Sequence, residues 1–402
     1  MKMQSLIAGA LLLSAPAFAQ VQAPLTIPAA ELSGYDLLLQ AGKTILPGPN
    51  GNPTARQKLT PDENLKRQRL AVARNAPALT LVRQALQKPI EVPLTTTYQE
   101  TLPKGWSKVG ELADQFFQEA DVRLADGDVA GAMNSRLDII DMGVGYEHGS
   151  LMAFSRGADV EDIGRIGIGR IASRLDATQC RAAIERLKVI DAKRPSYTAM
   201  LNKDLMESQN LKANNLAEIQ KESITTEGEE DTEINQADVD AIAALTPEKV
   251  KEDAVAAYAP ILENATLPYQ KWIMIRPQPS SNPLFKSIAD MFVTNESRFW
   301  YEECRTSNML LSIALELHAQ KLEAGAYPDT FVTPPDPFSP DGKPLVYKKT
   351  EEGYLLYSVG PDGKDDNGGE IKTMIEGEEP GNEVAIKRLT PESTGDIVQR
   401  MF

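Results

Sequence analysis

The sequence predicts a mainly α-helical protein, α+β overall, in which irregular helical hairpins carry a small C-terminal antiparallel β-module. Three observations predict it. Apolar residues recur at helical spacing, as in Leu112, Phe116, Phe117, Ala120 and Leu124. A Leu-Thr-Pro-acid pattern recurs at Leu59, Leu245 and Leu389, where the threonine can cap a helix and the proline suits its first position. Finally, the helical spacing stops between Gly325 and Gly369, where prolines alternate with two β-prone runs.

The elements follow in order. Lys2, the apolar run Ser5 to Ala15 and Ala17-Phe18-Ala19 read as a signal peptide over residues 1–19, with cleavage before Gln20. The expectation is an exported protein, periplasmic or extracellular, with no transmembrane segment in the mature chain. Residues 20–59 hold a short helix, about Ala30 to Ala41, and a Pro/Gly-rich linker. Thr60-Pro61-Asp62-Glu63 opens an α-helical body over 60–295, with a capping box between Thr60 and Glu63. From Lys108 to Lys193 the chain reads as helical hairpins, broken at Asp126-Gly127-Asp128 and tetratricopeptide-like in part, although no second copy follows at a period of 34.

Gly157, Gly164, Gly167 and Gly169 lack the order of a nucleotide fingerprint and read as sites of close helix packing. Glu161 and Asp162 with Arg165 and Arg170 read as helix-surface pairs. Arg194-Pro195 ends the helix that starts at Asp176, and another runs on to Asn215. Residues 218–240 form an acidic insertion, solvated or facing a basic partner. Another helix runs from Pro247 to Asn264. Trp272-Ile273-Met274-Ile275 reads as a buried strand or extended segment, and Pro283 as a helix start. A long helix from about Glu296 carries Phe299, Trp300, Leu310, Ile313, Ala314 and Leu317 on one side and leads into the β-module, so that 296–375 form one unit. The acidic tail 376–402 ends in a short helix after Pro391.

Within the module, Leu345–Lys349 and Tyr354–Ser358 read as a hairpin, with Gly353 suited to positive φ in the loop between them. Gly360 to Gly369 then places Asp362, Asp365, Asp366 and Asn367 among glycines. Such a loop is an ordinary turn or a Ca²⁺ site, since a hard cation gathers carboxylate, amide and carbonyl oxygens. The spacing is not that of an EF-hand. The helix Leu310 to Leu322, Gly325-Ala326-Tyr327-Pro328, Asp336-Pro337, Gly342-Lys343-Pro344-Leu345 with Tyr347, and Tyr354 through Ser358 to Asp362-Gly363 together resemble the globular part of the major pseudopilin of type II secretion. The resemblance implies a structural calcium with Ser358, Asp362, Asp365 and Asp366 as ligands and Asn367 beside them. The helix before Gly325 is internal and amphipathic, unlike the apolar helix that opens a pseudopilin. In this the chain is similar to larger exported bacterial proteins of unknown function that pair a helical body with such a tail.

A net charge of −15 argues against a nucleic-acid surface. Cys180 and Cys304 form either one disulfide or two buried thiols. His148 stands at a loop beside Glu147, and His318 on a helix surface. Zinc-hydrolase and serine-nucleophile motifs are absent from the sequence. The expected function is an exported, non-catalytic binding or assembly protein with a protein partner and a structural calcium. The alternatives are a secreted hydrolase with an unidentified acidic site and an atypical pseudopilin-like component of a secretion system.

Overall fold

Capping chemistry sets where the helices begin. The computed structural model describes residues 32–46, 60–94, 106–210, 240, 243–275, 295–369 and 393–399. Its helices are α1 (Gly34–Thr44), α2 (Pro61–Ala85), α3 (Trp106–Ala125), α4 (Val129–Tyr146), α5 (Leu151–Arg165), α6 (Ile168–Ala172), α7 (Ala177–Lys193), α8 (Tyr197–Asn210), α9 (Pro247–Asn264), α10 (Tyr269–Ile275) and α11 (Asn295–Ala324). Ser33, Thr60 and Asp176 each accept a backbone N–H three residues on, while Asp36, Glu63 and Gln179 reach back, closing three capping boxes. Thr246 caps α9 with Pro247 at its first position. Two of the three expected Thr-Pro starts are therefore observed. The third, at Thr390, lies outside the described residues. So do the signal-peptide segment, the linker, residues 218–239 of the acidic insertion, the start at Pro283 and most of the tail.

The α3–α4 hairpin turns at Gly127 (φ +84°), after which Asp128 accepts from Gly131 N–H at 2.9 Å. Glycine then lets α4 and α5 touch along their backbones. A Cβ on Gly143 would lie 2.6 Å from the Gly157 carbonyl oxygen, and one on Gly157 would lie 2.5 Å from that of Gly143. Gly164 faces Ile140 in the same way. Gly167 has a different role: at φ +66° it breaks the chain between α5 and α6.

Helix α11 is the spine. Tyr301 and Cys304 enter one core with Phe154, Tyr258 and Trp272. Leu311, Leu315 and Ala319 enter a second with Ile171 and Leu187. Phe299, Leu310, Ile313, Ala314 and Leu317 join a third, under the β-module. The residues expected on one side, Phe299, Leu310, Ile313, Ala314 and Leu317, thus share one core with Trp300 packed against it, and further apolar residues on other faces of the helix enter the other two.

The module is a three-stranded antiparallel sheet in the order β1 (Val346–Lys349), β2 (Tyr354–Ser358), β3 (Ile397–Val398). Val346 pairs with Tyr357 and Lys349 with Tyr354, and Thr350 N–H closes the hairpin loop on the Gly353 carbonyl. Gly353 does not use positive φ. Phe338 and Leu356 bury against Tyr269, Phe299 and Leu310, with the Tyr269 and Phe338 rings edge to face at 4.8 Å. Burying a side chain such as Phe338 stabilises by about 1.5–3 kcal/mol.

Other expectations are corrected. Trp272 sits on a helix because Pro268 precedes α10, where its missing N–H is harmless and its carbonyl accepts from Lys271 and Trp272. The chain after Pro391 holds a strand where a helix was expected. Ser358 pairs with Ile397, and β-branched Ile397 and Val398 suit the open edge of β2. Cys180 and Cys304 are free and buried in different cores, so they are two separate thiols. His318 is buried on α11, not exposed. Among the described residues no helix is long and apolar enough to cross a membrane.

Candidate functional site

The Asp/Gly loop is built outward from the end of β2. Ser358 is fully buried; its hydroxyl donates to Asp336 Oδ1 (2.8 Å) and accepts from Gly360 N–H. Asp336 also accepts from the N–H groups of Phe338 (2.9 Å) and Val359 (2.8 Å). Burial pushes its carboxyl above the ordinary range, and these three bonds pull against that rise. Gly360 follows at φ +71°, where a Cβ would lie 2.2 Å from the Gly395 carbonyl oxygen, so only glycine fits. Asp362 turns onto Lys364 N–H (3.1 Å). Asp365 accepts from the Tyr357 hydroxyl (2.8 Å) and Asn367 N–H (2.9 Å); the tyrosine bond is the main cause of its lowered pKa. Asn367 takes φ +59° and accepts from Lys348 Nζ. The N–H groups of Asp366 and Gly368 donate to Asp396, a residue the sequence reading passed over. Burial raises Asp396 despite those bonds, and the charges of Asp365 and Asp366 raise it further.

The five residues expected as calcium ligands therefore divide. Asp365, Asp366 and Asn367 are exposed on the loop, with Asp362 half-buried. Ser358 does not join them, because its hydroxyl serves buried Asp336. Nor do three of the loop carboxylates converge. Among the described residues, the one group of three His, Cys, Asp or Glu side chains whose donor atoms lie within 4.8 Å of one another is Glu147, Glu161 and Cys304.

That group belongs to a buried charge network. Arg194, just beyond α7, donates to Glu147 and, through both terminal nitrogens, to Glu161 (3.0 and 2.9 Å). Arg165 donates to Glu161 (2.7 Å) and Asp162 (2.7 Å). Asn308 of α11 donates to Asp191 (2.9 Å) and accepts from Arg165 Nε (3.3 Å). Glu147 and Glu161 are fully buried. Burial drives Glu147 well above the carboxylate range, whereas Arg194 and Arg165 outweigh burial at Glu161 and hold it low. Burial raises Cys304 as well, keeping it a thiol. A metal cation here would meet two guanidinium groups already seated on the carboxylates, so the arrangement works as a staple joining α4, α5, α7 and α11. The expected surface pair of Glu161 and Arg165 is thus interior. The sequence signal was Arg194-Pro195, read only as a helix end.

A cavity of about 320 Å³ is lined by Leu86, Pro89, Ile90, Asp141, His148 and Lys193 among others. Lys193 Nζ donates to both Asp141 oxygens (2.7 and 2.9 Å) and to the Leu86 carbonyl (3.1 Å). His148 Nε2 lies 2.7 Å from the Lys193 carbonyl oxygen. His148 and Glu147, adjacent in sequence, thus belong to different environments. The cavity lining holds no hydroxyl or thiol nucleophile. Comparison with protein-family models, with curated proteins and with solved structures returns no match to this chain.

Proposed function

We propose that this is an exported, non-catalytic binding or assembly protein that meets a protein partner through its C-terminal β-module, with calcium held by the last loop. The observation that carries this reading is the contrast between a firmly seated module and a loop with excess negative charge. Phe338, Leu345 and Leu356 anchor the sheet on α10 and α11, and Gln270 of α10 donates to the Pro361 carbonyl (3.0 Å) at the loop base. On that base Asp365 and Asp366 are exposed near Asp396, whose carboxyl their charges raise. Like charges crowded on a fixed frame favour a divalent cation. Asp362, Asp365, Asp366 and Asn367 fit calcium in donor type and exposure, and Ser358 does not.

The test is thermal unfolding with millimolar calcium and with chelator, on wild type and on Asp362→Ala/Asp366→Ala. Calcium at 100 times its Kd stabilises the folded state by about 2.7 kcal/mol. A calcium-dependent rise in Tm that disappears in the double variant is expected. Equal midpoints with calcium and chelator in the wild type remove the ion and leave the loop a plain turn.

A further inference from the structure

We infer that the cavity beside His148 is a binding site for an uncharged polyhydroxylated small molecule, the size of a polyol or monosaccharide. The inference stands on hydrogen-bond inventory and is independent of the β-module. Lys193 has three N–H donors, which face the two Asp141 oxygens and the Leu86 carbonyl. Its donors are therefore committed. The His148 contact goes to a carbonyl oxygen, which only accepts, so Nε2 carries the proton. Burial lowers the His148 pKa and keeps the ring neutral, which leaves Nδ1 a bare acceptor with no partner among the described residues. Each Asp141 oxygen takes one bond from Lys193 and retains further lone-pair capacity.

His148 Nδ1 and the Asp141 oxygens thus remain to a ligand as acceptors, while Gln87 and Lys88 bring donor groups to the lining. A ligand must bring donors, several of them close together. Its charge is constrained as well. An anion would meet Asp141 and the imidazole lone pair, and a cation would meet the Lys193 ammonium. Glu91, on the cavity lining, is matched by Lys203 at 3.0 Å. Neighbouring hydroxyls satisfy these conditions, and Leu86, Pro89 and Ile90 supply an aliphatic wall for the C–H face of such a molecule. The volume sits at the small end of ligand pockets.

The chain has two histidines, so imidazole ¹⁵N spectra read the site directly, with His148→Gln for assignment. The first expected result is the Nε2-protonated tautomer at His148. The second is a saturable shift of its Nδ1 resonance on titration with at least one of erythritol, xylitol and glucose, and none with acetate or propylammonium. Asp141→Asn, close to isosteric and checked for fold by circular dichroism, is expected to weaken the response tenfold or more. A proton on Nδ1 overturns the proposal. So does saturation by acetate or propylammonium, or the absence of a saturable response to all three polyols in the wild type.

Discussion

The helical body and the β-module bury carboxylates by opposite means. In the body, Glu161 is held by two guanidinium groups that arrive from α5 and from beyond α7, and Asn308 ties in α11. In the module, Asp336 and Asp396 are held by backbone N–H groups and a serine hydroxyl, with no cation in contact among the described residues. Side-chain pairing in the body joins separate helices. Backbone pairing in the module shapes the turns and the loop around β2. The first arrangement makes a body whose helices depend on one another, and the second fixes local geometry while leaving nearby charge unneutralised.

Removing Arg194 breaks the first arrangement outright. Arg194→Met leaves Glu161 with Arg165 and Asn308 and takes from Glu147 its guanidinium donor, a loss of about 3–5 kcal/mol for removing one partner of a buried ion pair. Denaturant unfolding checks it, and a loss below about 1 kcal/mol would mean that the staple is dispensable. A sharper case is Asp204, a fully buried carboxyl between α5, α8 and α9. It accepts from Tyr258 and from Leu151 N–H and has no cation beside it among the described residues. Burial raises its pKa to about 7. The folded state therefore binds its proton more tightly than the unfolded chain, where an aspartate titrates near 3.9. The stabilisation is complete below pH ~4 and is lost as pH rises through 7, by up to about 4 kcal/mol at 1.36 kcal/mol per pKa unit. Asp204→Asn should flatten that pH 4–7 slope in urea titrations; an unchanged slope assigns it to another group. In the module, Asp336→Ala orphans two N–H groups and the Ser358 hydroxyl, costing about 2–3 kcal/mol. Hydrogen exchange should accelerate around residues 336–360 and not in α4 or α5. Acceleration in the body would erase the distinction between the two regions.

The fold was legible where short-range chemistry decides. Thr60 with Glu63, Gly127 and the hairpin loop at Thr350–Gly353 are local rules, and the chain obeys them. It was illegible where a distant element decides. Ile397 and Val398 become a strand because the edge of β2 is open to them. His318 looks exposed by its sequence context, yet packing around α11 buries it. The site followed the same division. The loop residues Asp362 to Asn367 could be picked from composition, but Asp396 shapes that loop from about 30 residues away. Glu161 with Arg165 has the spacing of an ordinary surface pair, and only Arg194 and Asn308, arriving from other helices, show that it is interior.

Helix α11 also governs the order in which the chain can become a protein. Its residues enter each of the three cores named above, yet it begins at Asn295. As the polypeptide is made, α3 through α8 leave the ribosome with one wall of their interior missing, and Ile171 and Leu187 stay without their neighbours on α11 until more than three-quarters of the chain is synthesised. The position of this single late helix thus defers completion of those cores to the last part of the chain to be made.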